Sequence, residues 1–139
     1  MSAPRRLVVN VDGGARGNPG PAAIAAVIAS PDGEPVEELS ERIGDATNNV
    51  AEYRALLLGL ERALALGARE VELIGDSELV VRQVHGTYKV KDATLGRLRD
   101  QVDEALHRFD RWSFSHVRRE DNEAADLLVN EALDAADDA

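Results

Sequence analysis

The sequence predicts an α/β fold, a mixed sheet with helices on its faces. Three observations predict it. Strand-like segments joined by turn signals come first, before any helical periodicity begins. A long amphipathic segment follows, and further β-branched runs then alternate with helical ones. Connections of that kind cross over, and right-handed crossovers make the first, fourth and fifth strands parallel.

Residues 7–11 form a short β-branched run, read as a central strand, which ends in D-G-G-A-R-G-N-P-G-P, a loop dense in Gly and Pro. Residues 22–30 read as a second strand, and P-D-G at 31–33 signals a hairpin into 36–43, which alternates less cleanly and suits an edge. T-N-N at 47–49 precedes a helix reaching about Leu66. Val50, Tyr53, Leu57, Leu60 and Leu64 step by three and four along one stripe, and Gly67 closes it. Residues 71–74 read as a buried strand ending at Gly75 and Asp76. A short helix over 77–84 follows, capped by Ser77 or Asp76. Residues 93–109 are amphipathic, 111–117 alternate around Trp112, Phe114 and His116, and a last helix runs from Asn122 to about Ala136.

The chain has 139 residues, enough for one domain with one core, and no repeat or linker divides it. The acidic tail at about 134–139 is expected to be disordered. With 44% hydrophobic and 30% charged residues, the composition is that of a soluble globular protein. The absence of Cys excludes disulfides and thiolate metal sites. No signal-peptide core and no membrane-length apolar run is present, so a cytoplasmic location is expected. No long apolar helix face asks for a partner, so a monomer is expected.

The net charge of -10 argues against a generic nucleic-acid coat protein. Placement weakens that objection. Many acids fall at 34–41 and 134–138, read as distant from any substrate surface. Basic residues gather at Arg16, at Lys89 and Lys91, at Arg97 and Arg99, and at Arg118 and Arg119. Adaptation to a salt-rich habitat is a second source of such acidity.

Sites on a sheet of this kind collect at the carboxyl ends of its parallel strands. Asp12 follows the first strand and Asp76 the fourth. Glu52 falls in the first turn of the long helix, and Asp126 near the start of the last. Each alone has a commonplace reading as a cap, a partner of the helix dipole or a solvated acid. Crowded together they repel, at roughly 4 kcal/mol for two charges about 4 Å apart at an effective dielectric near 20. Protonation or a metal relieves that, and an all-oxygen ligand set suits a hard cation, Mg²⁺ or Mn²⁺ in its place.

Four segments carry a resemblance: V-D-G-G-A-R-G-N-P-G-P-A at 11–22, T-N-N-V-A-E-Y-R-A-L at 47–56, G-D-S-E-L-V-V at 75–81 and H-V-R-R-E-D-N-E-A-A-D at 116–126. In this order and spacing they resemble ribonuclease HI over nearly the whole chain. The resemblance implies an RNase H-like fold, with five strands in order 3-2-1-4-5 and helices on both faces. It implies endonucleolytic cleavage of the RNA strand of RNA/DNA hybrids, leaving 5′-phosphate and 3′-hydroxyl ends. Two Mg²⁺ ions would be held by Asp12, Glu52, Asp76 and Asp126, with Mn²⁺ able to substitute.

By the same resemblance, Gly13 and Gly14 let backbone approach RNA or form a tight turn. Asn18, Asn48 and Asn49 read the minor groove, where the 2′-hydroxyl distinguishes RNA from DNA. Thr47 and Asn48 form part of a phosphate pocket, with helix capping as the other reading. Asn122 positions the last loop or caps the last helix.

The sequence also departs from the family. Asp45 stands where many members carry Arg. Residues 86–94 pass almost directly into the next helix, so the basic handle is absent, as in compact archaeal and actinobacterial-like members. Lys89 and Lys91 remain as phosphate contacts or a solvated pair. Many relatives carry a mobile catalytic His before the last acid. Here the loop is short, and Arg118 is favoured for that place, with Arg119 and His116 as alternatives. His85 and His107 read as surface residues. Two rival readings stand beside this one: a nuclease of the same fold acting on double-stranded RNA or DNA junctions, and a non-catalytic hybrid-binding module.

Overall fold

The structure, a computed structural model, describes residues 5–137. It contains β1 (Arg5–Ala15), β2 (Gly20–Ala29), β3 (Pro35–Ala46), α1 (Asn48–Ala65), β4 (Ala68–Gly75), α2 (Glu78–Val84), α3 (Ala93–Leu106), β5 (Arg111–His116) and α4 (Glu123–Asp137). A short 3₁₀ turn, Arg119–Asp121, joins β5 to α4. The sheet order is β3-β2-β1-β4-β5. β1 pairs antiparallel with β2 and β2 with β3, while β1, β4 and β5 run parallel, as the crossovers require. The tail predicted to be disordered falls in part on α4, which continues to Asp137; residues 138–139 lie outside the described residues.

The first strand is longer than its apolar run suggests. β1 continues through Asp12, Gly13 and Gly14 to Ala15, because β2 supplies partners from Val8 onward, with Ala29 opposite Val8 and Ala22 opposite Ala15. The D-G-G segment is therefore extended strand, not a tight turn.

Leu7, Val9 and Val11 face α1 in the main core. On the opposite face, Ala23 and Ala25 of β2 pack against Val129 and Leu133 of α4. Helix α1 is seated differently from the predicted stripe. Tyr53 and Leu60 are buried as expected, but Val50, Leu57 and Leu64 are only half-buried. The small residues Ala51, Ala55, Gly59 and Ala63, four apart, are buried instead. At Gly59 an added Cβ would lie 2.8 Å from Val9 Cγ1 and 3.0 Å from Val11 Cγ1, so the helix sits closer to the strands than bulky side chains would permit.

The ends of α1 match the sequence reading. Thr47 accepts from the Val50 N–H at 3.2 Å as N-cap, and Gly67 follows with φ +87. Glu37 on the edge strand accepts from Arg62 Nε at 2.6 Å and from Nη2 at 2.9 Å, tying β3 to α1. That guanidinium holds the Glu37 carboxyl below its ordinary range.

Candidate active site

Sheet register places two of the four acids together. Asn10 on β1 is opposite Ile74 on β4 in a parallel pair. Two residues further along both chains stand Asp12 and Asp76, at the carboxyl edge of the parallel strands. Ser77 caps α2 by accepting from Val80 N–H at 3.3 Å, so Asp76 is not consumed as the cap.

Glu52 reaches the same edge from α1, and Gly13 permits it. A Cβ on Gly13 would lie 2.2 Å from the Ala51 carbonyl oxygen and 2.8 Å from the Glu52 nitrogen. No side chain fits there, so the missing Cβ serves helix α1 before any substrate. Glu52 is the fifth residue of α1, and the first turn holds no acid. The expected first-turn position is thus corrected, and dipole compensation does not account for this residue.

Oxygens of Asp12, Glu52 and Asp76 all lie within 4.8 Å of one another. Asp12 is 5% exposed. Its carboxyl is pushed up from 3.8 to about 8, by burial first and then by the charges of Asp76 and Asp126. Burial, followed by Asp12 and Asp76, raises Glu52 well above its ordinary range. Asp76 is raised by burial and by Asp126, partly offset by Arg119. Three oxygen donors in this state form a set that can hold a metal ion, because a divalent cation would relieve both the desolvation and the repulsion.

Asp126 stands in the first turn of α4 beside this group, near enough to raise Asp12, but outside the close cluster of three. Its Oδ1 accepts from Arg119 Nε at 3.2 Å and Nη2 at 3.0 Å. Both arginines of this turn are largely exposed, Arg119 at 71%, but only Arg119 reaches Asp126. Arg119 lines the cleft, whereas the Arg118 side chain is 82% exposed with Glu120 3.9 Å away. The arginine beside the acids is therefore Arg119, one of the alternatives to Arg118. Residues in a short loop have no periodicity from which to read a facing direction. His116 ends β5 with its side chain exposed.

The remaining predicted residues divide. Gly13, Gly14 and Asn48 line the cleft of about 510 Å³ with the four acids. Asn48 Oδ1 accepts from Ala15 N–H at 2.8 Å, and Asn18 Oδ1 accepts from Asn48 N–H at 2.9 Å, so the first two motifs are stitched together. Asn49 is half-buried on the same turn of α1. Lys89 and Lys91 are exposed on the connection between α2 and α3 and do not line the cleft. His85 stacks on Trp112, with ring centroids 5.5 Å apart, and His107 is exposed on the turn after α3.

Asn122 is buried beside the first strand. It is 2% exposed, donates to the Val11 carbonyl at 2.9 Å and accepts from Asn10 Nδ2 at 2.9 Å. It latches the start of α4 to the strand that carries Asp12, which is the positioning role and not the helix cap. Asn10 was missed, although its position two residues before Asp12 on one strand face offered the signal. Arg16 also lines the cleft and pairs with Asp134 of α4. The acids near the C-terminus are therefore not all remote from the site.

A family model described as reverse transcriptase-like matches residues 10–132. Ribonuclease HI of Halobacterium salinarum is 51% identical over 131 residues, covering 94% of this chain and 66% of that protein. A bifunctional protein of Mycobacterium tuberculosis is 46% identical over 132 residues, covering 94% of this chain and 36% of that protein. The chain thus spans only part of these relatives' length. LC11-RNase H1, solved in complex with an RNA/DNA hybrid, superposes with a TM-score of 0.89 at 46% identity, covering 94% of this chain and 98% of that one. The crystal structure of RNase H1 from Halobacterium salinarum gives a TM-score of 0.92 at 49% identity and covers 94% of this chain. Because this chain matches 98% of that structure at such identity, the likeness extends beyond fold, and the chain belongs to the ribonuclease HI family.

Proposed function

We propose that the chain is an endoribonuclease that cuts the RNA strand of RNA/DNA hybrids, leaving 5′-phosphate and 3′-hydroxyl ends. The observation that carries this reading is the convergence of Asp12, Glu52 and Asp76 within 4.8 Å, in a cleft walled by the D-G-G strand and Asn48. The hybrid bound to LC11-RNase H1 supports the choice of substrate.

Asp12, Glu52, Asp76 and Asp126 are assigned as ligands of two Mg²⁺ ions, with Mn²⁺ able to substitute. Asp12 interacts with each of the other three and is assigned to both ions. Glu52 and Asp76 would hold one, and Asp126 would hold the other. When bound, two such ions favour ionisation of the attacking water and stabilise the departing 3′-oxygen. Arg119 orients Asp126 and places a positive charge at the cleft. Asn18, Asn48 and Asn49 are assigned to the minor groove, and Thr47, Lys89 and Lys91 to phosphates.

The same reading makes the protein a cytoplasmic monomer. Its exposed large apolar side chains, Leu79, Tyr88, Trp112 and Leu127, are dispersed over α2, the α2–α3 connection, β5 and α4. Among the described residues, no helix is long and apolar enough to cross a membrane.

The test is incubation of a hybrid, labelled on either strand, with Mg²⁺ or with a chelator. The RNA strand should be cut internally, only with the metal, and the DNA strand left intact. Hybrid binding with no metal-dependent cutting would overturn the reading, as would cutting of duplex DNA or double-stranded RNA in preference to the hybrid.

A further inference from the structure

Arg16 is a cleft residue to which none of the roles above has been given. Its backbone is held firmly. The Arg16 N–H donates to Pro21 O at 2.8 Å. Its carbonyl oxygen would lie 2.2 Å from any Cβ placed on Gly20, so that glycine is what lets the loop close on it. The neighbouring positions Ala15 and Asn18 are tied to Asn48. The base of Arg16 is thus fixed in register with the amides assigned to the minor groove, while its side chain remains 38% exposed.

The guanidinium is not idle. Its Nη2 pairs with Asp134 Oδ1 at 2.5 Å and lies 3.5 Å from the Asn130 carbonyl oxygen, both on α4. The Asp134 side chain is 64% exposed, so its carboxylate returns to water at little cost. An exposed ion pair of this kind shifts an equilibrium by no more than about fivefold. A phosphodiester presented by a polyanion is a stronger competitor, because arginine can grip it with two donors and binding releases condensed counterions.

We propose that Arg16 is a backbone-phosphate contact for the hybrid, and that Asp134 holds it in a competing ion pair until the nucleic acid displaces the carboxylate. This rests on the reading of the chain as a hybrid-binding nuclease. It assigns α4 a role in restraining substrate binding in addition to supplying Asp126.

The experiment is a double-mutant cycle on binding of a fluorescently labelled RNA/DNA hybrid. Anisotropy is measured with Ca²⁺ as the divalent ion, over a salt series, with gels to confirm that the hybrid stays intact. Asp134→Asn should tighten binding by about two- to fivefold. Arg16→Ala should weaken it and lower the slope of log affinity against log salt by about 1. Arg16→Lys should restore that slope. In the Arg16→Ala background, Asp134→Asn should have no effect.

Equal tightening by Asp134→Asn in both backgrounds would overturn the proposal, because the acid would then act only as a general negative charge. An unchanged salt slope in Arg16→Ala would overturn it as well. Failure of the unmodified chain to bind the hybrid would remove the functional reading itself, whereas binding with additive effects removes only the assignment of Arg16.

Discussion

Asp12→Asn should stabilise the metal-free protein while destroying its metal site. Asp12 is almost fully buried, and its carboxyl rises from 3.8 to about 8 through burial and the charges of Asp76 and Asp126. A carboxyl raised on folding holds its proton in the native state at pH values where the unfolded chain has lost it. Native stability therefore falls as pH climbs from about 4 to about 8, and the loss is complete above the folded value. At about 1.4 kcal/mol per pH decade, this rise caps the effect at roughly 6 kcal/mol. Protons shared with Glu52 and Asp76 reduce it, and we expect about 2–4 kcal/mol. For a domain of this size about 1 kcal/mol moves Tm by about 3 °C, so Asp12→Asn should melt roughly 6–12 °C above the unmodified chain at pH 8 in chelator. The two should converge below about pH 3, where Asp12 is neutral in both states. Thermal melts across pH, with and without Mg²⁺, give the measurement. Mg²⁺ should stabilise the unmodified chain and leave Asp12→Asn unmoved. Parallel stability curves from pH 4 to 8 would refute the claim that these carboxylates are crowded at a cost.

Three other perturbations probe different links. Gly13→Ala forces a methyl into the Ala51 carbonyl, displacing the turn that carries Glu52; Mg²⁺ affinity by calorimetry should fall at least about tenfold, and unchanged affinity would detach Glu52 from the site. Asn122→Ala leaves the buried Val11 carbonyl and Asn10 amide without their partner, and should cost about 2–3 kcal/mol in urea unfolding; a loss below about 0.5 kcal/mol would remove the latch. Arg119→Ala should lower kcat on the hybrid by about tenfold or more, while Arg118→Ala changes it by less than about twofold; the reverse order would restore the sequence-based preference.

Every strand and every α-helix was legible in the sequence, because a continuous apolar run with β-branched residues, as at 22–30, or a 3.6-residue period, as at 93–109, is a local signal that needs no knowledge of neighbours. Asp12 and Asp76 were legible for a related reason. Each follows directly on the apolar run of a strand that crossover geometry makes parallel, so both arrive at one sheet edge. Only the assembled fold decided the rest. Which residues of α1 would be buried depended on how closely it could approach β1, and hence on Gly59 and its small neighbours instead of the bulky stripe. Gly13 looks like a turn residue until helix α1 is placed against it. Asn122 reads equally as a helix cap or a loop anchor until Asn10 and Val11, more than a hundred residues away, close around it. Arg118 and Arg119 are adjacent, chemically identical and both largely exposed, and a three-residue turn alone decides which of them reaches Asp126. Local chemistry determines which elements form, because their signals lie within a few residues. Hydrogen bonds, close approach and charge crowding between distant segments decide what each side chain does, and none of these exists until the chain has folded.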